Sequence, residues 1–159
     1  MHRSASSMSA LAVTGPLGPH NANNIKYFET LKDLLKQLGL QGSAHFLAEL
    51  YDGFLPDEVI ADFYRIADAL FFPSREEGFG IPLIEAAFSH LPAFCANIPP
   101  LRKLGLSDAQ FFSPDEDPAL VASMIVDYFQ TSMPARLAMR ARASFRWEAI
   151  YHQHIAPLL

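Results

Sequence analysis

The chain has 159 residues, close to the roughly 150 residues of one typical domain. Half of the residues are hydrophobic and only 18% are charged, a composition that excludes an intrinsically disordered tail. Twelve Lys and Arg against 17 Asp and Glu give a net charge of −5, and nucleic-acid binding usually needs clustered cations. The composition therefore predicts a soluble globular domain that does not bind nucleic acid.

The single cysteine, Cys95, lies in the apolar run 92–96, where we expect a buried and inert thiol. One cysteine excludes an internal disulfide and any metal site built on several thiolates. No apolar run approaches the roughly 20 residues that cross a bilayer, and residues 1–7 lack the apolar core of a secretory signal. We expect a cytoplasmic protein with no transmembrane segment.

The first half of the chain alternates between short apolar runs and helical periodicity. The pattern predicts a buried strand at 10–13, a turn at 15–20, a helix from Asn23 or Asn24 to Gly39, a strand at 44–47 and a helix opening at 56–58. The inward faces of the two helices are predicted to contain Ile25, Phe28, Leu31, Leu35 and Leu38 in the first, and Val59, Ile60, Phe63, Ile66 and Ala67 in the second.

The second half continues the alternation. It predicts strands at 69–72, 92–96 and 110–112, and a helix at 81–90. Asp117 and Pro118 form a strong start signal for a helix that ends near Phe129, and two further helical segments break around Pro134 and near Trp147.

Strands separated by helix-length segments predict an α/β fold, a Rossmann-like parallel sheet with helices on both faces. We expect one domain over residues 1–159. Within it, residues 1–9 are expected to be disordered, residues 10–131 to form the α/β core, and residues 132–159 to form C-terminal helices.

The segment 71–86 best fits a ligand site, because open α/β sheets bind ligands beyond the carboxyl ends of their strands. A strand ends at Pro73, and a helix starts near Pro82 after a loop that contains Gly78 and Gly80. Glycine allows a positive φ and a close approach of backbone to ligand. The free amides of the helix's first turn can bind an anion such as a diphosphate without any lysine.

Two carboxylates bracket this anion site, Glu77 before the glycines and Glu85 about one turn into the helix. A carboxylate can accept hydrogen bonds from vicinal hydroxyls, so a sugar or a ribose is a natural partner. The helix dipole alone also favours glutamate in a first turn. The spacing by itself leaves both interpretations open.

The string from Pro73 to Ala86 resembles the signature of family 4 glycosyltransferases, two-domain enzymes of the GT-B fold that transfer sugars from nucleotide donors with retention. In that signature two glutamates are separated by seven residues and Gly-Phe-Gly follows the first; Glu77 and Glu85 fit this spacing. The likeness extends to residues 63–69, 112–117 and 145–148. It implies the C-terminal, donor-binding domain of such an enzyme, half of a GT-B fold.

The resemblance also implies roles. Glu77 would be catalytic, bonding the donor sugar and stabilising charge near the anomeric carbon, and Glu85 would accept the ribose hydroxyls. The remaining donor-binding positions would be Gly78, Phe79, Gly80 and Ile81. Amides of the last three would hold the sugar and the diphosphate. The family's retaining enzymes need no metal, so no cofactor is expected. His152 and His154 are two residues apart and would point to different sides of a helix, so we do not expect them to bind a metal together.

Some features depart from the family pattern. The segment 89–92 replaces a turn that usually contains glycine. The usual first strand-helix unit, whose Arg and Lys clamp the diphosphate, is not found, and neither is an acceptor domain of about 150 residues. The resemblance therefore implies a truncated domain that a partner chain or a rearranged N-terminal segment completes, and that transfers no sugar alone.

We therefore expect a donor-binding domain of a retaining, hexosyltransferase-type enzyme, with a nucleotide sugar and a missing acceptor domain or partner chain as its partners. The alternative is a non-catalytic nucleotide or nucleotide-sugar binding and assembly module. A flavodoxin-like or receiver-type domain is less favoured, and the receiver type is weakened because no strand ends in the clustered aspartates that a phosphorylation site requires.

Overall fold

The computed structural model describes residues 10–15, 22–51, 53–145, 150–151 and 155–158. The chain divides into two compact units, Met1–Phe63 and Tyr64–Leu159, each with its own parallel sheet. The predictions for residues 1–9, for 16–20, for the segment 146–148 and for the histidines at 152 and 154 lie outside the described residues. The predicted single domain, with its core and C-terminal boundaries, stays a prediction.

The first unit contains a two-stranded parallel sheet and one long helix. Its elements are β1 (Leu11–Val13), α1 (Ala22–Gln37), β2 (Ala44–Phe46) and a 3-10 turn at Leu47–Glu49. The predicted strands and helix are confirmed to within three residues at their ends. The prediction of a buried first strand is wrong, since Leu11 is 45% exposed. Among the described residues, β1 has a paired neighbour along one edge only.

The inner face of α1 centres on Phe28, which is buried. Its ring meets the ring of Phe46 edge to face, with centroids 5.1 Å apart. The ends of the predicted apolar stripe, Ile25 and Leu38, are instead exposed. The stripe is therefore confirmed at its centre and wrong at both ends.

The next helix, α2 (Asp57–Ile66), begins with two acidic residues that suit the positive end of its dipole. Ile60 and Phe63 of its predicted inward face are half-buried. Val59 and Ile66 are exposed, so the prediction is wrong for them. They are seven residues apart, and at 3.6 residues per turn they lie on one line at the edge of the apolar stripe.

The second unit is built on a three-stranded parallel sheet in the order β3-β4-β5, with β4 in the centre. It confirms an α/β fold with parallel strands flanked by helices. Its elements are β3 (Leu70–Phe72), α3 (Ile81–Phe88), β4 (Ala93–Ala96), α4 (Pro99–Gly105), β5 (Gln110–Phe112), α5 (Pro118–Thr131) and α6 (Met133–Phe145).

The core of this unit surrounds β4, whose four residues are all buried. The strand is apolar without alternation, as expected for a parallel strand covered on both faces. The ring of Phe94 lies edge to face with Tyr128 of α5, with centroids 5.4 Å apart. The next residue, Cys95, is fully buried, and burial raises the pKa of its thiol to about 11. The expected buried thiol is confirmed, and it stays protonated at neutral pH.

Prolines mark the starts of α4, α5 and α6 in this unit, of which two were predicted and one was missed. The start signal before α5 is confirmed, since the Asp117 carboxylate accepts a hydrogen bond of 2.8 Å from the Ala119 amide. The helix α4, which begins at Pro99, was not predicted. The break predicted around Pro134 is confirmed to within two residues, since α5 ends at Thr131, α6 begins at Met133 and the proline lies in the first turn of α6. A first helical turn accepts proline because its amides need no intrahelical partner.

No helix in the described ranges is long and apolar enough to cross a membrane.

The helix α3 ends in a Schellman motif with His90 at the position that glycine usually takes. The Leu91 amide donates to Ala86 O at 2.9 Å and the His90 amide to Ala87 O at 3.1 Å. His90 has a φ of +55°, in the left-handed region. The segment 89–92 therefore forms this turn without glycine and puts the side chain of His90 into a strained conformation.

We expect His90→Gly to raise the free energy of unfolding by about 1 kcal/mol, because glycine adopts this φ without a Cβ penalty. Urea unfolding followed by circular dichroism measures the change. The matched control is Ser89→Gly at φ −89°, where glycine relieves no strain and is expected to destabilise the protein. Equal destabilisation by both variants would contradict the strain at His90.

Candidate active site

The segment singled out from the sequence lies at the carboxyl end of β3, in the loop 73–80 and the start of α3. The sheet is parallel, so the turn after β5 opens at the same edge. Arg75 joins the two loops: Nη1 is 2.7 Å from Oδ1 of Asp115, and Nη2 donates to Pro114 O at 2.9 Å. Both side chains are largely exposed, so the pair adds at most about 1 kcal/mol of stability. The ion pair places the carboxylate of Asp115 beside the positive charge of Arg75.

Gly80 is the N-cap of α3 and has to be glycine for two reasons. Its φ of +89° and ψ of 42° are left-handed. A Cβ at this position would lie 2.6 Å from Cδ2 of Leu101, a fully buried side chain with little room to move. Gly78 differs: its φ is not positive and no heavy atom lies within 4 Å of a Cβ built there. Of the two glycines, only Gly80 adopts the positive φ.

The loop presents amides that have no acceptor within the described part of the chain. No described carbonyl or side chain accepts a hydrogen bond from the amides of Phe79, Gly80 or Ile81. Phe79 and Ile81 are more than half exposed. These free donors lie at the positive end of the α3 dipole, so their chemistry suits an anionic oxygen.

Glu85 lies four residues beyond Ile81, on the same face of α3 and half-buried. Side chains in a helix lean towards its N-terminus, so this carboxylate leans towards the loop. Its Oε2 accepts a hydrogen bond of 3.0 Å from the hydroxyl of Tyr64 in α2. Among the described residues, Tyr64 is the one hydrogen-bonding partner of this side chain and no cation pairs with it.

No sequence pattern predicts the contact with Tyr64. The two residues are 21 positions apart and lie on different helices. Burial raises the pKa of the Tyr64 phenol, and the hydrogen bond and charge of Glu85 raise it further. The phenol therefore keeps its proton over the working pH range and remains a donor to the carboxylate.

Glu77 is half-buried in the loop just before the glycines. No described residue forms a hydrogen bond or an ion pair with its carboxylate. The two acidic groups therefore differ in their hydrogen bonding within the described residues. Both carboxylate oxygens of Glu77 are without a partner, whereas one oxygen of Glu85 accepts a hydrogen bond from Tyr64.

Two other features of the described residues bear on the site. No three His, Cys, Asp or Glu side chains among them are grouped as metal ligands. An apolar groove of about 280 Å³ contains none of the residues from Glu77 to Glu85. It is lined by Phe71, Phe112, Ser113, Pro114, Glu116, Pro118, Val121, Ala122 and Ile125.

We expect Gly80→Ala to lower the free energy of unfolding by about 1–3 kcal/mol, because the new Cβ meets Leu101 in a strained conformation. Gly78→Ala is the matched control, and with open space and an ordinary φ it should be neutral or slightly stabilising. Urea unfolding of both variants checks this, and similar losses would contradict the distinct role of Gly80.

Comparison with known proteins identifies the family. The model of the family described as Glycosyl transferases group 1 matches residues 10–143. The chain is 39% identical over 74 residues to the serotype-specific mannosyltransferase WbdA of Escherichia coli, covering 46% of this chain and 9% of that protein. It is 32% identical over 132 residues to mannosylfructose-phosphate synthase of Agrobacterium fabrum, covering 79% of this chain and 28% of that protein.

A longer match is to D-inositol 3-phosphate glycosyltransferase of Rhodococcus opacus, 32% identical over 154 residues, covering 91% of this chain and 31% of that protein. The chain thus spans less than a third of the length of each of these three relatives. The family model covers most of the chain and includes the loop with Glu77 and the helix with Glu85, so the chain belongs to the glycosyl transferases group 1 family.

Proposed function

We propose that this chain is the donor-binding domain of a retaining glycosyltransferase of family 4 and binds a nucleoside-diphosphate sugar. The observation that carries the proposal is the combination of free amides at the start of α3 with the Glu85 carboxylate one turn further along. Amides suit the diphosphate and a carboxylate suits the ribose hydroxyls, so the two groups together match a nucleoside diphosphate.

Glu77 is proposed to act at the sugar. When the bond between the anomeric carbon and the diphosphate oxygen breaks, the electron pair leaves with the diphosphate and positive charge develops on the sugar ring. A carboxylate with no partner among the described residues can stabilise that ring, and the amides of Phe79, Gly80 and Ile81 can hold the leaving diphosphate. No metal ion is required by this scheme.

The sugar is proposed to be a hexose. One relative is named a mannosyltransferase and another a mannosylfructose-phosphate synthase, and mannose is a hexose. Acceptor binding is proposed to come from polypeptide outside this chain, because the relatives are more than three times as long as the parts it matches. In this proposal the isolated chain binds donor but transfers no sugar.

We expect Glu85→Ala to weaken nucleoside-diphosphate binding by about 1.5–3 kcal/mol, because a charged acceptor for the ribose is lost. Calorimetric titration of the 159-residue chain with ADP, GDP and UDP measures this for whichever nucleotide binds. The matched control is Glu76→Ala, which removes an exposed carboxylate from the same loop and should leave the affinity unchanged. Equal affinity of wild type and Glu85→Ala would refute the ribose contact.

Glu77→Gln separates sugar binding from nucleotide binding. We expect the variant to bind the nucleoside diphosphate as wild type does and to bind the corresponding nucleoside-diphosphate hexose about fivefold more weakly, for one lost hydrogen bond. Glu76→Gln is the control, with both affinities unchanged. If Glu77→Gln alters neither affinity, Glu77 does not contact the sugar and a non-catalytic nucleotide-binding module becomes the better description.

A further inference from the structure

Tyr64 and Glu85 both lie in the second unit, where the hydroxyl of one contacts the carboxylate of the other. Tyr64 Oη is 3.0 Å from Oε2 of Glu85 and 3.3 Å from Pro82 O. One hydroxyl has one proton to donate, and the shorter, charged acceptor is the stronger partner. The Tyr64 proton is therefore directed at Glu85.

This hydrogen bond limits the conformations of Glu85. A free glutamate has three rotatable side-chain bonds, and holding them costs conformational entropy whenever a ligand binds. Because Tyr64 holds Oε2 in the ligand-free protein, part of that ordering precedes ligand binding. Oε1 remains unbonded among the described residues and can accept a proton from outside.

The choice of residues favours a role in binding over a simple link between helices. Half-burying a carboxylate with no cation beside it among the described residues is unfavourable, and a neutral amide could make the same link to a phenol at lower desolvation cost. A carboxylate keeps an unused charged acceptor on Oε1. That acceptor is open to a donor from a ligand.

We propose that Tyr64 is a positioning residue for nucleotide recognition, and that its hydroxyl holds Oε2 of Glu85 so that Oε1 faces a ribose hydroxyl. The inference rests on the proposed function, since it assumes that Glu85 contacts the ribose. It adds a residue from α2 to a site otherwise formed by the loop 73–80 and α3.

The test is Tyr64→Phe, which removes the hydroxyl and keeps the ring. We expect the affinity for the nucleoside diphosphate that wild type binds best, among ADP, GDP and UDP, to fall about three- to tenfold. The affinity for its 2′,3′-dideoxy analogue, which lacks the ribose hydroxyls, should stay within about twofold. A merely structural role would weaken both ligands alike, so this difference identifies positioning.

The matched control is Tyr128→Phe, which removes the hydroxyl of a half-buried tyrosine from α5 in the same unit. It should leave both affinities unchanged. In a double-mutant cycle, Tyr64→Phe should have no further effect on affinity once Glu85 is alanine, because the hydroxyl then has no carboxylate to hold.

The possible results separate the two proposals. If wild type binds nucleotide and Glu85→Ala weakens it while Tyr64→Phe does not, only the role of Tyr64 is overturned. That role is also overturned if Tyr64→Phe weakens the dideoxy analogue equally, or acts fully in the Glu85→Ala background. If wild type binds none of the three nucleotides, the proposed function falls and the role of Tyr64 falls with it.

Discussion

The candidate site depends on the burial of one short strand. All four residues of β4 are buried, and the strand pairs in parallel with β3 on one side and β5 on the other. Parallel pairing puts the carboxyl ends of the strands at one edge, so the loop after β3 and the turn after β5 open there together. The Arg75 contact with Asp115 is possible because that register brings the two loops within reach. The strand order thus locates the loop that carries Glu77.

The helix α3 begins at this edge, and its N-cap position accepts only glycine. The buried side chain of Leu101 closes the space behind Gly80, and the left-handed backbone at Gly80 turns the chain into α3. The same turn leaves neighbouring amides without acceptors among the described residues. Unsatisfied donors are a general property of a helix start, and here the glycine turn places them at this edge of the sheet before any ligand arrives.

Much of the fold was predictable because its signals are local. Apolar runs identified the five strands, and the Asp117 cap with its following proline identified α5. The failures have physical causes too. The helix that begins at Pro99 was missed because proline is found after the end of an element as well as in the first turn of a helix. Leu11 gave an apolar signal, but burial of a strand is decided by its neighbours. The contact of Tyr64 with Glu85 joins residues 21 positions apart, and periodicity does not encode contacts over that separation.

The loop before α3 also restricts how ligand preference can change. No residue with a side chain fits at position 80, because its Cβ would clash with Leu101. Its neighbours Phe79 and Ile81 are exposed, and side chains of many shapes fit at both positions. If the proposed site is correct, substitutions at these two positions would change the surface that the ligand meets while the backbone between them stays fixed. Related proteins could then bind different ligands with the same backbone amides and different side chains at positions 79 and 81.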